Sequence, residues 1–187
     1  NLKTRRAGPY GSRAGLGTAA GLSRCGRLGY TGAMTGEASP APIPTSGVWT
    51  SGVHRLAVRV YYEDSDFTGV VYYANYLKFL ERGRTDALRA AGVRHEDLLK
   101  LEPRLGFAVR RLEAEYLKPA RIDDALIIET RFTAARGARL AVAQRVLRGE
   151  TVLLTAQVEA ACIDLDGKPR RLPSEAAERL ARAAGAA

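Results

Sequence analysis

From His54 the chain alternates, with Leu56, Val58, Val60 and Tyr62 set against Ala57, Arg59 and Tyr61. A period of two predicts a half-buried strand. Beyond an Asp- and Gly-containing segment, Asn75 is placed to cap a helix. Leu77, Leu80, Ala87, Leu88 and Ala91 then recur at helical spacing up to Gly92, which predicts one long helix. Four more strand-like runs follow: Gly106 to Leu117, Ala125 to Ala134, Leu140 to Leu147 and Thr151 to Ile163. The connectors "KPARIDD", "ARGAR" and "RGE", with "DLDGKP" after the last run, carry turn residues, and such short links imply an antiparallel meander. Residues 174–187 read as a short terminal helix capped by Ser174, or a tail.

One strand, one long helix, then four antiparallel strands is an α+β order with a single early helix. Tyr76 and Phe79 give that helix apolar residues on more than one side, so a sheet should wrap it. The expected architecture is a single hotdog domain at residues 54–173: a long central helix in a five-stranded antiparallel sheet, with exposed edges that a second copy would pair.

Composition changes the picture mainly at the N-terminus. The 187 residues are 46% hydrophobic, enough for one compact domain, with a net charge of +9. Lys3, Arg5, Arg6, Arg13, Arg24 and Arg27 supply six of those nine charges, and no acid precedes Glu37. The basicity therefore belongs to a Gly-, Ser- and Pro-rich stretch, residues 1–53, expected to be disordered. An organellar transit peptide fits this stretch. The favoured expectation is that residues 1–33 are upstream translation ahead of Met34, the sole methionine, because no amphipathic helix stands out. The core then needs no nucleic-acid partner. No membrane-length apolar run occurs, and "GLGTAAG" lacks both the strand and the spacing of a dinucleotide loop. Cys25 and Cys162 suggest neither a disulfide framework nor a metal site, which points to a reducing, cytoplasmic location.

The chemistry concentrates in "VRVYYEDSDFTGVVYYANYLKFLERGRTDALR". This run resembles the 4-hydroxybenzoyl-CoA thioesterase family, and within it the Tol-Pal-associated acyl-CoA thioesterases. Asp66, Gly69, Val70, Val71, Tyr73, Asn75 and Tyr76 fill the family's pattern, and the resemblance extends over about Arg55 to Arg170. It implies hydrolysis of an acyl-CoA thioester in a homodimer or homotetramer, with coenzyme A as part of the substrate and no separate cofactor. Asp66 matches the catalytic aspartate, acting as nucleophile or as general base toward water. The Tyr73 position offers its backbone N–H to the thioester oxygen at the start of the helix. Many Tol-Pal relatives carry histidine where Tyr73 stands, and a tyrosine is a poor base at neutral pH.

Further substrate contacts are expected from Tyr62, Val70 and Asn75, from Gly69 through close backbone approach, and from Arg136 and Arg139 on the phosphates of coenzyme A. Each has a plainer reading: Asx-turn for Asp66, helix cap for Asn75, sheet packing for Tyr61 and Tyr62, and a solvated hairpin tip for the two arginines. Asp64 is expected to be structural. Glu81 is expected to pair with Arg84 rather than react, and His54 and His95 to be solvated. The competing functions are a hotdog dehydratase, which needs a histidine that the motif lacks, and a non-catalytic acyl-CoA-binding module. Serine-hydrolase elbows, phosphate loops and zinc clusters find no support.

Overall fold

The computed structural model describes residues 46–185. A six-stranded antiparallel sheet has the order β1-β2-β4-β5-β6-β3. The strands are β1 (Val48–Thr50), β2 (Val53–Arg59), β3 (Leu105–Tyr116), β4 (Ala125–Arg136), β5 (Arg139–Arg148) and β6 (Thr151–Asp164). The helices are α1 (Asn75–Ala90), α2 (His95–Leu98) and α3 (Ser174–Ala183). The four long runs fall within two residues of their expected bounds. The fifth expected strand, β2, stops at Arg59, and a sixth, β1, precedes it. The sheet thus begins five residues ahead of the expected boundary at residue 53. The remaining expectations for the N-terminal stretch, Met34 and Cys25 included, lie outside the described residues.

The hairpin β1–β2 pairs Val48 with Arg55 and Thr50 with Val53. Ser51 and Gly52 form its turn, both at positive φ. Trp49 packs its ring 5.4 Å from that of His54 and 5.8 Å from that of Phe132, so this edge is held by aromatic burial as well as by the ladder.

Helix α1 buries Tyr76, Phe79, Leu80, Gly83, Ala87 and Leu88 against the concave face of the sheet. Leu77, expected in that stripe, is 39% exposed and faces away. Two apolar clusters result. One gathers Val60, Tyr76, Phe79, Leu80, Leu126 and Leu153 around the N-terminal half of α1. The other gathers Ala87, Leu88, Phe132, Val142, Cys162 and Leu180 beneath its C-terminal half and α3. Between them lies a buried polar chain. Arg84 Nη1 donates to Gln144 Oε1 at 2.7 Å, and Gln144 Nε2 donates to the Leu80 carbonyl and Thr130 Oγ1, each at 2.9 Å. No buried side-chain polar atom of Arg84, Gln144 or Thr130 is left without a partner, which makes their burial affordable and locks α1 to β4 and β5.

Neither expected cap residue caps. Asn75 is the first residue of α1, with Ala74 before it, and the Asn75 amide donates to the Asp64 carbonyl at 2.9 Å. Pro173 precedes α3, and no side chain caps that helix.

Candidate active site

Residues 60–74 form a loop between β2 and α1, and its shape follows from its hydrogen bonds. Val60 N–H donates to the Asp124 carbonyl at 3.0 Å, and Asp123 N–H returns a bond to Val60 at 3.1 Å, where the chain leaves the sheet. Tyr62–Asp64 is a single 3₁₀ turn. The Asp64 side chain, 3% exposed, accepts the Tyr61 N–H at 2.9 Å, while its carbonyl takes the Tyr72 N–H and the Asn75 amide. Asp64 thus ties the start of the loop to its end, the structural role expected of it. Tyr62 points elsewhere: it is 85% exposed and outside the sheet, where alternation had placed it.

The middle of the loop is a tight reversal. Ser65 bridges to Val71, Asp66 N–H donates to the Val70 carbonyl at 2.9 Å, and Gly69 N–H donates to the Asp66 carbonyl at 3.0 Å. Gly69 has φ +75°, and a Cβ there would meet nothing within 4 Å. The glycine is therefore required by its backbone conformation and not, within one chain, by close approach.

Asp66 is exposed. Its Oδ1 accepts the Thr68 N–H at 2.8 Å and Thr68 Oγ1 at 2.5 Å; Oδ2 has no partner among the described residues. The Thr68 hydroxyl and then its N–H hold the Asp66 carboxyl below its ordinary value of about 3.8. Hydrogen bonds to the charged form have that effect. The result is an ionised carboxylate, oriented through one oxygen and open at the other. This is an Asx-turn and an available carboxylate at once; the two readings of Asp66 do not exclude each other.

After the reversal the chain enters α1. Val71 N–H donates to the Ala120 carbonyl at 2.9 Å, and Ala120 N–H to the Tyr76 hydroxyl at 2.8 Å. Burial pushes the Tyr76 phenol up from its ordinary value, and the side chain acts as a strut. Asn75 N–H is used by the Tyr72 carbonyl, but the N–H groups of Tyr73 and Ala74 have no partner among the described residues. Unsatisfied donors where a helix begins carry positive potential. The Tyr73 side chain, 61% exposed, stacks near Tyr72, and its carbonyl accepts from the Tyr116 hydroxyl at 3.1 Å. Val70, Tyr73, Tyr76, Tyr116 and Pro119 line a cavity of about 280 Å³ beside these donors.

Arg136 and Arg139 lie at the far end of β4 and β5. Ladders at Val60–Asp124 and Val70–Arg121 place the loop at the other end of β4. The ends of a strand of 12 residues, at a rise of about 3.3 Å per step, lie about 36 Å apart. Within one chain the arginines do not join Asp66, and Arg139 pairs with Glu159.

Sequence reasoning missed one buried group. His54, expected in solvent, is fully buried, with Nε2 3.1 Å from Asp86 Oδ2. Asp86 also accepts the Gly47 N–H at 2.6 Å and faces Arg89 at 3.4 Å. Burial, opposed by Asp86, holds the His54 imidazole below its ordinary value. Its alternation with Leu56 and Val58 was the available signal. Among the described residues, no cluster of three or more His, Cys, Asp or Glu side chains could hold a metal. No helix among them is long and apolar enough to cross a membrane.

A helix wrapped by an antiparallel sheet, entered through a loop that presents a carboxylate and free N–H groups, is the hotdog thioesterase class. Residues 60–180 match the model of the thioesterase-like superfamily, and the chain belongs to that family. The acyl-CoA thioester hydrolase YbgC of Escherichia coli O6:H1 is 46% identical over 121 residues, which cover 64% of this chain and 89% of the relative. The acyl-CoA thioesterase YbgC of Haemophilus influenzae is 44% identical over 119 residues, 63% of this chain and 87% of its own. Among solved structures, a probable thioesterase from Bartonella henselae superposes with a TM-score of 0.63 at 47% identity, covering 65% of this chain and 99% of that one.

Proposed function

We propose that the domain is an acyl-CoA thioesterase, hydrolysing an acyl-CoA to the free acid and coenzyme A, with Asp66 as the reacting carboxylate. The similarity to two acyl-CoA thioesterases across nearly their whole length supports the activity. The observation that carries the residue is Asp66 itself: ionised, anchored by Thr68 through Oδ1 and open at Oδ2. With the thioester oxygen at the Tyr73 N–H, negative charge developing there meets a donor and the helix start. Two routes balance. Asp66 Oδ2 attacks the carbonyl carbon and the C–S bond breaks, giving a mixed anhydride and the thiolate, after which water cleaves the anhydride. Alternatively Asp66 takes a proton from water, whose oxygen attacks the same carbon, and that proton then leaves with the thiolate.

The domain acts as a homodimer or homotetramer in this reading. β3 is a sheet edge of 12 residues, and such an edge is a template for self-pairing. Val70 and Asn75 then position substrate near the loop, and Arg136 and Arg139 reach coenzyme A only from another subunit. The protein is cytoplasmic, with coenzyme A entering as part of the substrate and no separate cofactor.

Thiol release from a panel of acyl-CoAs tests this. Asp66→Asn should lower kcat by roughly 100-fold or more while leaving thermal unfolding unchanged, because the side chain is exposed. Wild-type turnover in that variant would refute the assignment. Binding of an acyl-CoA without turnover by the native protein would favour the non-catalytic module. The dehydratase reading has a His–acid pair available in His54 and Asp86, but that pair is fully enclosed and cannot meet a substrate.

A further inference from the structure

The outer side of α1 carries a carboxylate that the hydrolytic step does not use. Leu77, Glu81 and Arg82 from α1, with Val109 and Leu112 from β3, line a groove of about 620 Å³ whose surface is mostly apolar. The Glu81 side chain is 55% exposed and shares this groove with Lys78, Arg82 and Arg84. Glu81 is held twice: Arg84 Nη2 donates to Oε2, and Thr85 Oγ1 donates to Oε1 at 3.1 Å. Arg84 is itself 8% exposed and anchored on Gln144, which is 2% exposed and bonded to β4 and α1. The carboxylate, though on the surface, is therefore tethered to the core of the domain through Arg84.

Its position along the helix sets a length. From Asn75 to Glu81, at 1.5 Å per residue, the helix rises about 9 Å, and helical side chains lean back toward the N-terminus. An acyl group whose carbonyl oxygen rests on the Tyr73 N–H, and whose chain runs down the groove, thus meets Glu81 at medium length.

Resting on the reading that the thioester is cleaved at Asp66, we propose that Glu81 is a specificity-determining residue, selecting acyl groups whose far end carries a hydroxyl. A methyl end displaces water from the carboxylate and offers nothing in return. A hydroxyl donates in place of that water. Polar groups left unpaired discriminate far more strongly than an extra methylene does.

The test compares kcat/KM for hexanoyl- and octanoyl-CoA with their ω-hydroxy counterparts, in wild type, Glu81→Leu and Glu81→Gln. Wild type should favour ω-hydroxyoctanoyl-CoA over octanoyl-CoA about tenfold or more. Glu81→Leu should reverse that preference, and Glu81→Gln, which keeps an acceptor, should retain part of it. An unchanged ratio in a folded Glu81→Leu overturns the proposal; if that variant does not fold, an unchanged ratio in Glu81→Gln does the same. Loss of turnover in Asp66→Asn alongside an unchanged ratio at Glu81 would leave the hydrolytic reading standing and this one refuted. If wild type cleaves none of the four, both fall.

Discussion

Replacing Gly83 with Ala sets two effects against each other in the middle of α1. In an exposed helix the change gains about 1 kcal/mol, since glycine is a poor helix former. In this helix the new Cβ would stand 2.6 Å from Ile128 Cγ2, 3.1 Å from Thr130 Oγ1 and 3.3 Å from Gln144 Nε2. Carbon atoms rest at about 3.5–4.0 Å, and Ile128 is fully buried, so the contact is relieved only by pushing α1 off β4. Overpacking of that kind costs about 1–3 kcal/mol, so the net result should be a loss of up to about 2 kcal/mol. Urea unfolding followed by Trp49 fluorescence, at fixed protein concentration, should show a lower midpoint with an unchanged slope. Ile128→Ala removes the opposing methyl at a cost of about 2–5 kcal/mol. Combined with Gly83→Ala it should cost at least about 1 kcal/mol less than the sum. Gly106→Ala, with nothing within 4 Å of the new carbon, is the control and should stay within about 0.5 kcal/mol of wild type. A raised midpoint for Gly83→Ala, or additivity with Ile128→Ala, would refute the close approach of helix and sheet.

His54 makes stability depend on pH. Its folded-state value lies below the ordinary 6.5, so the unfolded chain binds the proton more readily. Its contribution is full above about pH 6.5 and declines below that, by at most about 1.4 kcal/mol per pH unit; His54→Gln should flatten denaturation midpoints measured between about pH 8 and 5. Gln144→Leu removes the buried partner of Arg84 Nη1, the Leu80 carbonyl and Thr130 Oγ1, while Glu81 still pairs with the guanidinium, and should cost about 1–3 kcal/mol by chemical denaturation. Arg110 sits at the bulge where the β3–β6 register breaks between Val109 and Arg111. Arg110→Pro should therefore spare the internal ladder, remove an outward donor and lower the sedimentation coefficient toward that of a monomer.

Periodicity located β3 to β6 and α1 because each is long and amphipathic, and a long pattern outvotes local ambiguity. The same signal ran too far at Tyr62, where Asp64 turns the chain back on itself, and too short at "VWT", three residues whose place depends on Trp49 finding Phe132 across the sheet. Asn75 has the composition of a cap, yet it is the first residue of α1 and its amide donates to the Asp64 carbonyl. His54 was misjudged because its partner Asp86 lies on α1, and only the fold brings them together. Of the candidate site, the loop from Asp64 to Tyr76 stood out in the sequence through its resemblance to a family pattern; local hydrogen bonds hold the reversal from Asp66 to Val70, but the anchors on Ala120 and Tyr116 come from the fold. Arg136 and Arg139 could not be placed that way, because their distance from Asp66 is a property of strand length and topology.

Cys162 sits at 0% exposure in the cluster beneath α3, the single cysteine among the described residues, and burial pushes its thiol up. It reacts only when the sheet opens. In a chain with Cys25 replaced by Ser, the rate at which a thiol reagent modifies Cys162 becomes a stopwatch for native-state opening. That clock runs without denaturant and reads the half of the core farthest from the reactive loop.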